Sequence, residues 1–132
     1  MEIESFLEAF GRWASAQPDI EGVGLVGSHA RNAPNEGSDA DLVILTTEVA
    51  KYFQNQSWTL QFGEVEGCDV ETWGRVKSLR IFYKDGMEVE YSFSLPDWAS
   101  TPVDAGTYRV VSDGMKIIYD PQGILKALQK TR

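Results

Sequence analysis

The sequence predicts an α/β fold, a mixed sheet of about five strands with helices packed mainly on one face. Three observations predict it. Val23-Gly24-Leu25-Val26 and Leu42-Val43-Ile44-Leu45 are short apolar runs bounded by turn formers, the mark of strands buried on both faces. Ile3, Phe6, Leu7, Phe10, Trp13 and Ala14 recur at helical spacing over residues 2 to 16, with Glu2, Glu4, Glu8 and Arg12 on the opposite side. From Trp58 to Phe93 the pattern turns to strands, with a hairpin signal at Lys84-Asp85-Gly86.

The first helix serves packing and ends at Gln17-Pro18-Asp19. Ile20 to Val26 forms the first strand, and Asn32 to Ser38 is dense in turn formers and reads as a loop. The second strand runs from about Asp39 to Leu45, with Val43 and Leu45 on one face and Leu42 and Ile44 on the other, as in a central strand. Thr47 is expected to cap a helix through about Gln54. Thr59 to Val65 and Val70 to Trp73 are the weaker strand candidates, and Leu79 to Tyr83 and Met87 to Phe93 the stronger pair. On the last of these, Glu88, Glu90 and Ser92 share one face while Met87, Val89, Tyr91 and Phe93 share the other. Gly114 to Tyr119 is a short strand candidate, and Asp120-Pro121 starts a terminal helix with Ile124, Leu125 and Leu128 inward.

Length and composition narrow the function classes. A chain of 132 residues is expected to form one domain, residues 1–132, burying roughly two-thirds of its unfolded surface. Its one cysteine, Cys68, excludes an internal disulfide and is expected to be a small buried residue. No apolar run reaches membrane-spanning length, and Met1-Glu2-Ile3-Glu4 lacks the basic segment of a secretion signal, so a cytoplasmic location is expected. A net charge of −8 argues against a broad nucleic-acid surface, which wants Lys and Arg on one face. It leaves room for a small cationic acceptor or a basic protein partner.

The chemistry concentrates where the first strand ends in Gly27-Ser28 and the second begins with Asp39-Ala40-Asp41. Side chains alternate along a strand, so Asp39 and Asp41 point the same way, roughly 7 Å apart. Two acids on one face are costly to bury without a counter-charge. A metal ion supplies one, and a Gly-Ser turn suits the phosphates that accompany it: Gly27 permits close backbone approach, and Ser28 offers a hydroxyl beside free N–H groups. Asp-x-Asp in a solvated loop is the plainer alternative, and it weakens once the Gly-Ser turn stands at this spacing between two such strands. Acids facing water on an edge strand likewise explain Glu88 and Glu90 without function.

Gly27-Ser28 followed by Asp39-x-Asp41 resembles the signature of the polymerase-beta-like nucleotidyltransferase superfamily. The local detail, Gly-Ser-His-Ala-Arg-Asn and then Ser-Asp-Ala-Asp-Leu, is most similar to minimal nucleotidyltransferases and to the catalytic domain of antibiotic nucleotidyltransferases. The resemblance implies a nucleotidyltransferase-like fold and transfer of a nucleoside monophosphate from a nucleoside triphosphate, ATP first, to an acceptor hydroxyl with release of pyrophosphate. Asp39 and Asp41 would ligate Mg2+, with Mn2+ as the alternative ion, and two ions would clamp the attacking and leaving oxygens. The pattern has a third acid on a later strand, for which Glu90 in Val-Glu-Tyr is the choice and Glu88 the rival; it completes the metal site and helps deprotonate the acceptor.

Gly27 and Ser28 would hold the β- and γ-phosphates, with Arg31 and Ser38 as further nucleotide-binding candidates. A non-catalytic nucleotide-binding or regulatory module, antitoxin-like, is the alternative from another class. Antibiotic members carry a helical domain after the catalytic one, so a second copy or a helical partner protein is expected to complete the acceptor side, with Trp73 or Trp98 at the contact. The single histidine, His29, rules out a His-based metal cluster or triad. Trp58 is expected in the core or at its rim, and Glu66, Asp69 and Glu71 in solvent.

Overall fold

A computed structural model of the chain describes residues 3–26, 40–73, 76–96 and 115–130. Helix α1 (Ile3–Ser15) buries Phe6, Phe10 and Ala14, spaced four apart on one stripe. Six strands follow: β1 (Ile20–Val26), β2 (Ala40–Thr46), β3 (Val65–Trp73), β4 (Val76–Tyr83), β5 (Glu88–Ser94) and β6 (Met115–Tyr119). Helix α2 (Val49–Gln54) and a 3-10 helix (Ser57–Phe62) lie between β2 and β3, and helix α3 (Ile124–Lys130) comes last. The expected strand boundaries on either side of the Gly-Ser motif are met within one residue.

The sheet order is β3-β4-β5-β2-β1-β6, with β2 and β5 parallel and every other neighbouring pair antiparallel. The mixed sheet thus has six strands where the sequence predicted about five. One face carries Val23, Leu25, Leu42, Ile44, Leu79, Ile81, Val89, Tyr91 and Phe93 into the main core beneath α1, α2 and the 3-10 helix. Rings dominate it: Trp13 stacks on Trp58 at 5.2 Å, and Tyr52 stacks on Phe93 at 5.0 Å. The other face is apolar only in part, where Val43, Leu45 and Met115 meet Leu125 of α3. Glycine permits that seat: a Cβ on Gly24 would lie 2.8 Å from Met115 Sδ, and one on Gly22 would lie 3.2 Å from Leu125 Cδ1. The Asp120 carboxylate accepts the Leu125 and Lys126 N–H groups at 3.2 and 3.0 Å, satisfying two donors at the start of α3.

Several sequence expectations are corrected. Thr47 does not cap α2: it is exposed, the N-cap position is Glu48 with no side-chain cap bond, and buried Thr46 accepts the Glu48 N–H at 3.0 Å in the turn ahead of the helix. Thr59 to Val65 is not a strand. Trp58 and Thr59 are both buried, which breaks period-two alternation, and residues 57–62 wind into the 3-10 helix, with Thr59 Oγ1 donating to the Gln56 carbonyl. Cys68 is exposed rather than buried because β3 lies at the sheet edge, where Glu66, Asp69 and Glu71 are also in solvent, as expected. Trp58 is a core residue whose Nε1 donates to the Tyr52 carbonyl at 3.0 Å. The side chain of Trp73, and Trp98 altogether, lie outside the described residues.

Two polar clusters tie the helical layer to the sheet. The Tyr91 and Tyr83 hydroxyls meet at 2.8 Å, and Tyr83 donates onward to the Thr59 carbonyl at 2.9 Å. Burial pushes the Tyr83 hydroxyl up to about 12 and raises Tyr91 well above its ordinary value. The second cluster converges on Asp19, which accepts from Thr46 Oγ1 at 2.7 Å, Tyr52 OH at 2.6 Å and Lys51 Nζ at 2.7 Å. Burial raises the Asp19 carboxyl, but the bonds from Lys51, Tyr52 and Thr46 outweigh it and hold the group below the usual value.

A carboxyl depressed in the folded state contributes stability that is complete above its unfolded pKa and is lost as pH falls through the folded one. Asp19→Asn should therefore lower the unfolding free energy at pH 7 by about 1–3 kcal/mol in urea denaturation. The gap from wild type should narrow as pH drops below about 4. Equal urea midpoints at pH 7 would show that the Asp19 cluster adds nothing.

Candidate functional site

The face of the sheet opposite the main core is divided along its length. On β2 its later residues, Val43 and Leu45, meet Leu125 of α3, while β5 continues with Ser92 and Ser94; toward the N-terminal ends of both strands it carries Asp41, Glu88 and Glu90. Asp41 is the second described residue of β2, and its ladder partners are Val26 on β1 and Glu90 on β5. Partners on parallel neighbours sit about 4.8 Å apart across the ladder and share a face. Asp41 and Glu90 are therefore brought together by the register, and both are partly exposed.

Glu90 does not lie on an edge strand. β5 is flanked by β4 and β2, so the plain explanation of acids on a solvent edge is overturned. On its other side Glu90 faces Arg80 of β4, whose Nη2 donates to Glu90 Oε2. The same guanidinium donates through Nη1 to Glu88 Oε2 at 2.5 Å. One cation thus bridges two carboxylates, with Arg80, Glu88 and Glu90 side chains 27%, 28% and 19% exposed. Such half-buried, charge-assisted bonds are stronger than those of a surface pair. One step along the strands, Ser78 and Ser92 share a hydroxyl hydrogen bond at 2.8 Å. Glu88 stands one residue outside the last described β2–β5 pair, Ala40 with Val89.

Gly27, Ser28, Arg31, Ser38 and Asp39, with His29, lie outside the described residues. The described part of β1 ends at Val26, the ladder partner of Asp41. Among the described residues no three His, Cys, Asp or Glu side chains converge as a metal site. The donors that the register does align are carboxylate oxygens, the ligand type of a hard divalent ion such as Mg2+.

Arg80 is the residue that sequence reasoning missed. Its signal was available: ladder pairs of β4 with β5 are symmetric about Asp85, the centre of the Asp-Gly turn, and that symmetry sets Arg80 opposite Glu90. The turn itself is as expected, with Gly86 at φ 94° and the Met87 N–H donating to Asp85 Oδ1. On the helical side of the sheet, Trp13, Gln17, Lys51, Tyr52, Asn55 and Trp58 line an open cavity of about 350 Å3. Neither Asp41 nor Glu90 lines it. Among the described residues no helix is long and apolar enough to cross a membrane.

A family model described as streptomycin adenylyltransferase matches residues 2–130. Among solved structures, an aminoglycoside 6-adenyltransferase from Bacillus subtilis superposes with a TM-score of 0.61 at 19% identity, over 75% of this chain and 37% of that one. A CCA-adding enzyme in an apo form gives a TM-score of 0.52 at 17% identity, over 97% of this chain and 32% of the other. The polymerase core of TRAMP, an RNA surveillance complex, gives 0.50 at 20% identity, over 68% and 30%. At these identities the likeness is one of fold, and the chain spans about a third of the length of each structure. No curated protein sequence matches it significantly.

Proposed function

We propose that this chain, a member of the streptomycin adenylyltransferase family, transfers a nucleoside monophosphate from a nucleoside triphosphate, ATP first, to an acceptor hydroxyl with release of pyrophosphate. One observation carries the reading: the parallel register of β2 and β5 aligns Asp41 with Glu90 on the sheet face away from the main core. Two carboxylates aligned on one face favour a nearby cation; Arg80 of β4 already meets Glu90, and a polyanionic substrate arriving with its metal would bring a divalent one.

Asp39, Asp41 and Glu90 would hold Mg2+, or Mn2+ in its place. When bound, the ion offsets negative charge on the phosphate oxygens. Gly27 and Ser28, just beyond β1, would bind the β- and γ-phosphates through backbone N–H groups and the hydroxyl, with Arg31 and Ser38 donating to further triphosphate oxygens. The acceptor oxygen bonds to the α-phosphorus, the bond from that phosphorus to the bridging oxygen breaks, and pyrophosphate departs. Glu90 takes the acceptor's proton. The rest of the rate gain is positioning.

Residues 1–132 are read as one catalytic domain. A second copy or a helical partner protein is proposed to complete the acceptor side, and the exposed, unpaired Cys68 suits a cytoplasmic setting. The second reading is a nucleotide-binding or regulatory module without turnover, and the Arg80 bridge already occupying Glu90 favours it. Pyrophosphate release separates the two.

Asp41→Asn should lower pyrophosphate release by about 10²–10³-fold or more while the melting temperature stays within a few degrees. Near-wild-type turnover in a folded Asp41→Asn protein would remove the carboxylate pair from the chemistry. Glu90→Gln should be far more damaging than Glu88→Gln in the same assay, and the reverse ranking would move the third acid to Glu88. Light scattering and a pull-down from native lysate should reveal a dimer or a helical partner. A strict monomer that alone modifies a small acceptor efficiently would contradict that expectation.

A further inference from the structure

We infer that Arg80 is a positioning residue that acts as an internal counter-ion for Glu90, competing with a divalent cation for that carboxylate and retreating to Glu88 when the cation takes it. The inference rests on the metal-site reading above. Arg80 uses different nitrogens for these two carboxylates, Nη1 for Glu88 and Nη2 for Glu90. It can therefore give up Glu90 without losing its bond to Glu88. The backbone supports both arrangements, because Arg80 is the β4 ladder partner of Glu90, while Glu88 is the partner of Phe82 two residues away on the same face. Asp41, on the far side of Glu90, is aligned by the β2–β5 register.

The electrostatics set the direction. With no divalent ion bound, Glu88, Glu90 and Asp41 would repel one another across partly desolvated ground, and the guanidinium compensates them. A divalent ion binding Glu90 and Asp41 gains their attraction, but it must displace one charge-assisted bond and then meets a fixed positive charge on the next strand. Arg80 thus weakens binding of a bare ion. An ion arriving with a triphosphate is less affected, since the triphosphate's negative charge screens it from the guanidinium. Glu88 receives a role distinct from Glu90: it anchors Arg80 and is not a ligand.

The test is Mn2+ binding to the purified chain without nucleotide, read as free Mn2+ by electron paramagnetic resonance, counting the site that Glu90→Gln removes. Arg80→Gln should bind Mn2+ about tenfold more tightly than wild type. Its melting temperature should fall in chelator and recover more with Mn2+ than the wild type's does. The double variant Arg80→Gln/Glu88→Gln keeps the local net charge of the wild type and removes the two-carboxylate repulsion that threatens folding of the single one. It should still bind Mn2+ severalfold more tightly than wild type, because Glu90 has lost its competitor, whereas a simple net-charge effect would leave affinity unchanged. Double-variant affinity equal to or weaker than wild type, with Mn2+ bound by wild type at the Glu90-dependent site, overturns the counter-ion role and leaves the proposed function standing. No Glu90-dependent Mn2+ binding in any of these proteins also overturns the counter-ion role, whereas the proposed function falls only if Mn2+ with nucleoside triphosphate yields no pyrophosphate.

Discussion

The parallel pairing of β2 with β5 is the constraint on which the rest depends. These strands are separated by α2, the 3-10 helix and the β3–β4 hairpin arm, so the pairing closes a long loop that must be offset by burial. The burial comes from one face: Leu42, Ile44, Val89, Tyr91 and Phe93 are fully buried beneath the helices. A slip of one residue would send this set to the other face and bring the acids under α1. The side chains that fix the register are thus apolar and turned away from the carboxylates, yet they determine that Asp41 meets Glu90.

The two layers divide the work. On the helical side, rings pack around the Tyr83–Tyr91 and Asp19 clusters, whose hydroxyls and carboxylate are hydrogen-bonded. On the other, α3 covers only the apolar end over Gly22, Gly24 and Leu45, and the charged end keeps solvent access. Charge that is unfavourable for stability is placed where the packed layer does not depend on it. Arg80 offsets part of the cost and, by bridging Glu88 and Glu90, keeps both carboxylates at the surface of β5.

Much of this was legible because strand alternation is local. The span of β1, the two faces of β2, the Asp85-Gly86 turn and the outward side of Glu88 and Glu90 all follow from the residues themselves. What was not legible is non-local or one-sided. Strand order puts β5 inside the sheet, and only that order converts Glu90 from a solvent acid to a neighbour of Asp41. Cys68 was expected to be buried because cysteine usually is, but its strand lies at the sheet edge. The segment 57–62 carries apolar residues at a spacing that fits a strand or a tight helix. Phe62 packing against Phe6 and Phe10 is a tertiary fact that decides it. Thr47 was expected to cap α2, but the helix starts one residue later, at Val49 after Glu48, and no side chain caps it.

The central claim is that nucleotide and metal gather on the sheet face shared by Asp41 and Glu90. Backbone amide shifts followed by NMR as Mg2+ and a nucleoside triphosphate are added test it most directly. The account predicts the largest changes at Val26, Asp41, Arg80 and Glu90, with Trp58 and Tyr52 on the opposite face nearly still. Changes centred on the Trp13–Trp58 cavity, or none anywhere, would contradict it.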